Sequence, residues 1–164
     1  MSLKYSDIIG DEQAIRSHTG LTGKEFCALT VAFGSEWEHY MRHYTWEGKQ
    51  RQRQSKARKN NVLVSIEDKL LFILFFFKTN PLQQVLATTF GLNQPQASCW
   101  LELLRKRLIA TLIKEKVLPE RKAERLYRVI GGESKLIIDA TERAVGRSID
   151  YETQKEHFSG KKKS

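Results

Sequence analysis

The stretch Gln83 to Trp100, QQVLATTFGLNQPQASCW, leaves this chain few ways to fold. One helical pattern, Leu82 to Phe90, runs into Gly91-Leu92-Asn93, and a second starts at once with Gln94-Pro95-Gln96. Ala87, Gly91 four residues on and Ala97 six further each answer a steric need. A small residue at 87 lets two helices approach, and Gly91 can take the positive φ of a tight turn. Ala97 buries on the inner face of the second helix beside Leu101. Asn93 can cap that helix, with Gln96 three residues on completing a capping-box pattern. Pro95 suits a first helical turn, where no backbone donor is needed. The spacing predicts a helix-turn-helix whose last helix continues through LELLRKRLIATLIKE to about Lys116.

Further helices are predicted upstream. Ser65 to Lys78, SIEDKLLFILFFFK, reads as a buried helix with Ser65 as N-cap. Glu67 and Asp68 suit its positive end, and Asn80-Pro81 stops it. Thr22 followed by Glu25 is a capping box, and Phe26, Leu29, Phe33, Trp37, Tyr40 and Tyr44 recur at helical spacing over residues 23–44. Residues 1–17 read as a short helix. The intervening TWEGKQRQRQSKARKN has no apolar periodicity and reads as a mobile basic loop. It is either a solvated linker or an arm that orders on a nucleic-acid backbone.

Charge narrows the choice of partner. The 164 residues carry a net +9 with a pI of about 9.6, a balance that favours polyanions. The excess is uneven: residues 1–44 are net −2, residues 47–60 net +5 and residues 105–128 net +6. Cys27 and Cys99 lie far apart in helical patterns and read as small buried hydrophobes, not as a disulfide or zinc pair. The N-terminus MSLKYSDIIGDEQ is polar, and the longest apolar run, Leu70 to Phe77, falls far short of the ~20 residues of a membrane span. A cytoplasmic protein without a membrane partner is the expectation.

The last helix of such a core usually enters the DNA major groove by its N-terminal turn. Gln94, Gln96 and Ser98 are the candidate base readers, since glutamine pairs bidentately with adenine and serine serves either base type. Arg105, Lys106 and Arg107 better suit phosphates, as do Arg51, Arg53, Lys56, Arg58 and Lys59 of the basic loop.

Beyond Pro119 the pattern changes. A polar helical stretch leads to Gly131-Gly132, and KLIID then reads as a short strand buried on both faces and ending at Asp139. The stretch IIDATERAVGRSIDYETQKEHFSGKKK resembles the segment around the first catalytic aspartate of bacterial insertion-sequence transposases of the DDE type. Their pattern is I-D-A/G-T-E-R-P followed, after a spacer, by Q-K-x-Y-Y-S-G-K-K-K-x-H-T. Ala144 stands where the family usually has Pro, and His157-Phe158 where it has an aromatic pair. The upstream TGLT-x-x-EF and the helix-turn-helix also resemble the N-terminal part of these proteins. The resemblance implies a ribonuclease-H-like fold in which three carboxylates, the first matched by Asp139, bind two Mg²⁺ ions. It assigns no individual roles to Thr141, Glu142 and Arg143. It also implies double-stranded DNA, the terminal inverted repeats of a mobile element, as partner, with a homodimer or the full-length transposase as protein partner. A bacterial, nucleoid-associated setting goes with it.

The sequence ends at Ser164 before the second Asp and the Glu of that pattern, and Glu142, Asp150, Glu152 and Glu156 do not match those positions. Catalysis by this chain alone is therefore not expected, because a single carboxylate holds Mg²⁺ weakly. Lys161-Lys162-Lys163 suggests either a ribosomal slip site between two coding frames or a decayed gene. The expectation is a mainly α protein. Residues 1–60 form N-terminal helices and the basic arm, and 61–118 the DNA-binding region. Residues 119–164 carry a linker and the first β-hairpin of an incomplete ribonuclease-H-like domain. A stand-alone helix-turn-helix regulator, an inactive transposase remnant and a helical interaction module are the competing readings.

Overall fold

The structure, a computed structural model, describes residues 2–53, 62–118 and 149–151. The chain divides into two units, Met1–Pro119 and Glu120–Ser164. The second contains only residues 149–151 of those described, so the expected hairpin, Asp139, Thr141, Glu142 and Arg143 lie outside the described residues.

The first unit is helical. After a 3-10 turn, Tyr5–Asp7, come α1 (Glu12–Thr19), α2 (Gly23–His43), α3 (Ile66–Thr79), α4 (Gln83–Thr89) and α5 (Gln94–Lys114). No strand occurs among the described residues beyond one antiparallel bridge, Tyr44 with Gln50.

Four of the five helices start where a polar side chain satisfies a first N–H group; α4 starts after Leu82 without one. Thr22 and Glu25 form a capping box on α2, and Ser65 Oγ accepts from the Asp68 amide at 3.0 Å to open α3. α3 ends at Asn80, whose φ of +44 is left-handed. α5 ends two residues before the expected Lys116, which itself takes φ +57.

The N-terminus departs from the single helix expected over 1–17. Gly10 at φ +89 interrupts it, and Asp11 caps α1 by accepting from the Ala14 amide at 2.9 Å. Ahead of Gly10, Asp68 of α3 takes the Tyr5 amide at 2.9 Å, and the Tyr5 ring stacks on Phe26. Tertiary partners at 26 and 68 thus override local helix propensity.

α3 is the centre. Five consecutive residues, Lys69 to Ile73, are buried, so the helix is enclosed over most of its circumference. It packs against α1, α2 and α5. Phe26 and Phe33 of α2, Leu70, Phe72 and Ile73 of α3, Leu86 and Ala87 of α4, and Ala97 and Leu104 of α5 share one fully buried core. Residues on both sides of position 60 therefore belong to one folded body.

Two buried charges sit in this core. Glu36 of α2, 5% exposed, accepts from Arg107 Nη1 at 3.1 Å and pairs with Lys114 through its other oxygen. The Arg107 guanidinium also lies 3.8 Å from the centre of the Tyr40 ring. Lys69 is 4% exposed; its ammonium donates to the Val64 and Ser65 carbonyls at 2.6 and 2.9 Å. Burial pushes its pKa down to about 8 against the opposing pull of Asp68 and Glu67.

The cysteines correct the reading from sequence: Cys27 and Cys99 are both exposed. Phe26, Phe33, Trp37 and Tyr40 form the inward seam of α2, and Cys27 is one residue, about 100°, off it. Cys99 likewise lies between the buried Ala97 and Trp100 in sequence but not on their face.

Candidate nucleic-acid interface

The approach of α4 to α5 rests on Ala87 and Ala97, both fully buried. The chain reverses between them through two backbone bonds, Gly91 N–H to Thr88 at 3.2 Å and Leu92 N–H to Ala87 at 2.8 Å. Gly91 has φ +67, and a Cβ there would also meet Ser2 Cβ at 2.9 Å. The N-terminal segment is held against this turn by Leu3 N–H donating to the Thr89 carbonyl at 2.8 Å.

Asn93 starts α5 through a reciprocal cap. Its Oδ1 accepts from the Gln96 amide at 2.9 Å, and Gln96 Oε1 accepts from the Asn93 amide at 3.1 Å. Pro95 occupies the first turn. Ala97, Trp100, Leu104, Leu108 and Thr111 face the core. At about 100° per residue, Glu102 and Lys106 fall on the opposite side, Ser98 and Arg105 between, and Gln94 on the flank, about 80° from the core direction. Gln94, Glu102, Arg105 and Lys106 are exposed and Ser98 half-buried. Gln96 does not share their face: it is turned roughly 160° from Ser98, and its carbonyl oxygen is committed to the cap.

The three basic residues in a row part company as well. Arg105 faces solvent. Lys106 is exposed and pairs with Glu102 at 2.7 Å, a bond that holds the Glu102 carboxyl below the usual carboxylate range. Such a pair is weak and readily exchanged for a phosphate. Arg107 turns inward to Glu36 and Tyr40.

The basic segment begins as an ordered turn. Thr45 N–H donates to Lys49 O at 2.8 Å, Gly48 sits at φ +81, and Arg51 N–H donates to the His43 carbonyl at 2.7 Å. Arg51 Nε adds a bond to the Tyr44 carbonyl at 3.0 Å, while Arg53 is exposed. Trp46 anchors the turn, its ring meeting Trp100 of α5 edge-on at 4.5 Å, and Tyr40 Oη donates to the Thr45 carbonyl. An open cleft of about 620 Å³ lies between the turn and α5, lined by Tyr44, Trp46, Glu47, Cys99, Glu102 and Lys106 among others. Lys56, Arg58 and Lys59 lie outside the described residues.

The structure thus docks the start of the basic segment on α5 through Trp46, while Arg51 is held to the end of α2 by the His43 and Tyr44 carbonyls. Sequence reasoning missed three participants. Trp46 carried a signal, an aromatic beside a Glu-Gly turn. Glu36 carried none, its partners lying 71 and 78 residues away. Gln83, at the first turn of α4, receives a hydrogen bond from Gln94 Nε2 at 3.1 Å, and no local pattern announced it.

No described helix is long and apolar enough to cross a membrane, and no group of three or more metal-ligating side chains occurs among the described residues. Neither the curated proteins nor the solved structures contain a match to this chain. Residues 61–114, about a third of the sequence, match a family described as the helix-turn-helix of DDE superfamily endonuclease. The matched span covers α3, α4 and α5 to the last helical residue, Lys114, so this part of the chain is similar to a DNA-binding region of transposase-like enzymes.

Proposed function

We propose that the chain is the DNA-binding part of an insertion-sequence transposase of the DDE type, reading the terminal inverted repeats of its element for transposition. The observation that carries this reading is the exposed N-terminal turn of α5 with a basic turn docked beside it. The α5 turn lies within the span that resembles a DDE endonuclease helix-turn-helix, and the basic turn docks on α5 from outside that span through Trp46. Gln94 and Ser98 are the base readers. Arg105, Lys106, Arg51 and Arg53 contact phosphates, joined by Lys56, Arg58 and Lys59 on the strength of sequence. Gln96 and Arg107 serve the interface indirectly, by capping α5 and by locking it to α2. A homodimer or the full-length transposase is the protein partner, in a bacterial nucleoid setting.

Asp139 keeps its role as a Mg²⁺ ligand from the resemblance alone. When bound, paired Mg²⁺ ions stabilise the attacking and leaving oxygens of a phosphodiester displacement. One carboxylate does not make such a site. The role of residues 1–118 in this reading is recognition.

The test is selection of binding sites by the full chain from random duplex DNA, followed by affinity against salt. Seven phosphate contacts predict a slope of log affinity on log salt near −6, a loss of several thousandfold between 50 and 200 mM. A flat salt response, or selected pools with no common sequence, would refute the reading.

A further inference from the structure

We propose that Gln83 is a positioning residue for base recognition: it fixes the side-chain amide of Gln94 so that its remaining edge reads adenine. The inference rests on the reading above, that the N-terminal turn of α5 faces base edges.

Gln83 is the first residue of α4 and Gln94 the first of α5, and both are exposed. The turn through Gly91 and the close packing of Ala87 and Ala97 set the two helix starts side by side. Across this gap Gln94 Nε2 donates to Gln83 Oε1 at 3.1 Å. A primary amide has two N–H bonds and a carbonyl oxygen. If the N–H trans to the oxygen is the one donated to Gln83, the oxygen and the cis N–H stay free along one edge. Adenine presents a matching edge in the major groove, the N6 amino donor beside the N7 acceptor. The Gln83 bond therefore leaves intact the pair of groups that adenine requires and restricts rotation of the amide that carries them. A long exposed side chain otherwise loses that freedom only on binding, at the expense of affinity.

Gln96 is the contrasting case. Its oxygen already accepts from the Asn93 amide, and its side chain lies on another face, roughly 160° from Ser98. Gln94 is held by its nitrogen, from a residue on the neighbouring helix.

The experiment uses the full chain. Sites are selected from random duplex DNA, and the preferred duplex is compared with versions carrying 7-deazaadenine or guanine at each adenine. Wild type, Gln83→Ala, Gln83→Glu and Gln94→Ala are measured, each with its thermal midpoint. One adenine should lose its preference in Gln94→Ala. At that adenine the wild-type preference, between about five- and a hundredfold for a bidentate contact, should fall roughly three- to tenfold in Gln83→Ala. The thermal midpoint and the affinity for unrelated duplex should stay unchanged. Gln83→Glu should restore the preference, because a carboxylate still accepts the Gln94 N–H, while lowering affinity for every duplex alike.

Full adenine preference in Gln83→Ala, with loss in Gln94→Ala, overturns the proposal and leaves the functional reading standing. A uniform loss on all sequences makes Gln83 a phosphate contact and also overturns it. No base preference in the wild type defeats the functional reading and the proposal together.

Discussion

Replacing Glu36 by alanine removes the anion that faces Arg107 across the α2–α5 seam. The arginine side chain is only 18% exposed, its head group lies over the Tyr40 ring, and its buried Nε has no partner. Only its edge borders the open cleft beside Trp46, and its Nε is shut off from water. Lys114, 59% exposed, can swing away. The loss therefore falls on Arg107, and breaking a buried pair from one side costs about 3–5 kcal/mol. That is a large share of a typical total stability of about 5–15 kcal/mol. Urea unfolding followed by tryptophan emission suits the measurement, because Trp37, Trp46 and Trp100 lie in contact around this seam. With a slope of about 1–3 kcal/mol per molar urea, the midpoint should fall by at least about 1 M. Lys114→Ala should cost under about 1 kcal/mol, as an exposed partner does. Removing both partners, Glu36→Ala with Arg107→Met, should be less damaging than Glu36→Ala alone. If Glu36→Ala shifts stability by less than about 1 kcal/mol, the pair behaves as a solvated surface contact and the argument fails.

Other consequences can be checked in the same way. Gly91→Ala should destabilise by about 1–2 kcal/mol from its positive φ alone, with more from the clash at Ser2; deleting residues 1–3 should relieve only the second part, read from thermal midpoints. Lys69 makes stability depend on pH in the alkaline range. Its folded pKa of about 8 lies below the usual 10.5, so the unfolded chain holds the proton where the folded one has released it. Stability should rise between those two values by up to about 3 kcal/mol, and the rise should vanish in Lys69→Met when pH titrations of the two proteins are subtracted. Trp46→Ala should free the basic turn from α5 and lower duplex affinity roughly two- to tenfold on all sequences alike, by fluorescence anisotropy; an unchanged affinity would mean that the docked turn contributes nothing.

The helices were legible because their ends are written locally. Thr22 with Glu25, Ser65, and Asn93 with Gln96 mark starts, and Asn80 and Gly91 mark reversals. Their side-chain roles follow from neighbours three residues away. Azimuth and distant partners were not legible. Arg105, Lys106 and Arg107 look equivalent in sequence, yet a 100° step between neighbours sends one of them into the core to meet Glu36. Gln96 fits both a cap and a base reader on paper, and the structure shows its oxygen in the cap. Cys27 and Cys99 were misplaced for the same reason, since period alone does not say which stripe faces inward. The turn at Trp46 was hidden inside a run of charges whose composition suggested no fixed structure, and its partner Trp100 lies 54 residues away.

The enclosure of α3 bears on how far this helix-turn-helix part can be treated as a portable module. A peptide trimmed to residues 61–114 would keep α4, the turn and α5, but it would strip α1 and α2 from a helix buried at five successive positions. Phe72, Leu70 and Ile73 would lose part of their cover, and Arg107 its counter-charge. Exchanging that span alone between relatives would transplant the helix-turn-helix without its seat. An exchange that keeps its affinity would have to carry residues 2–53 along.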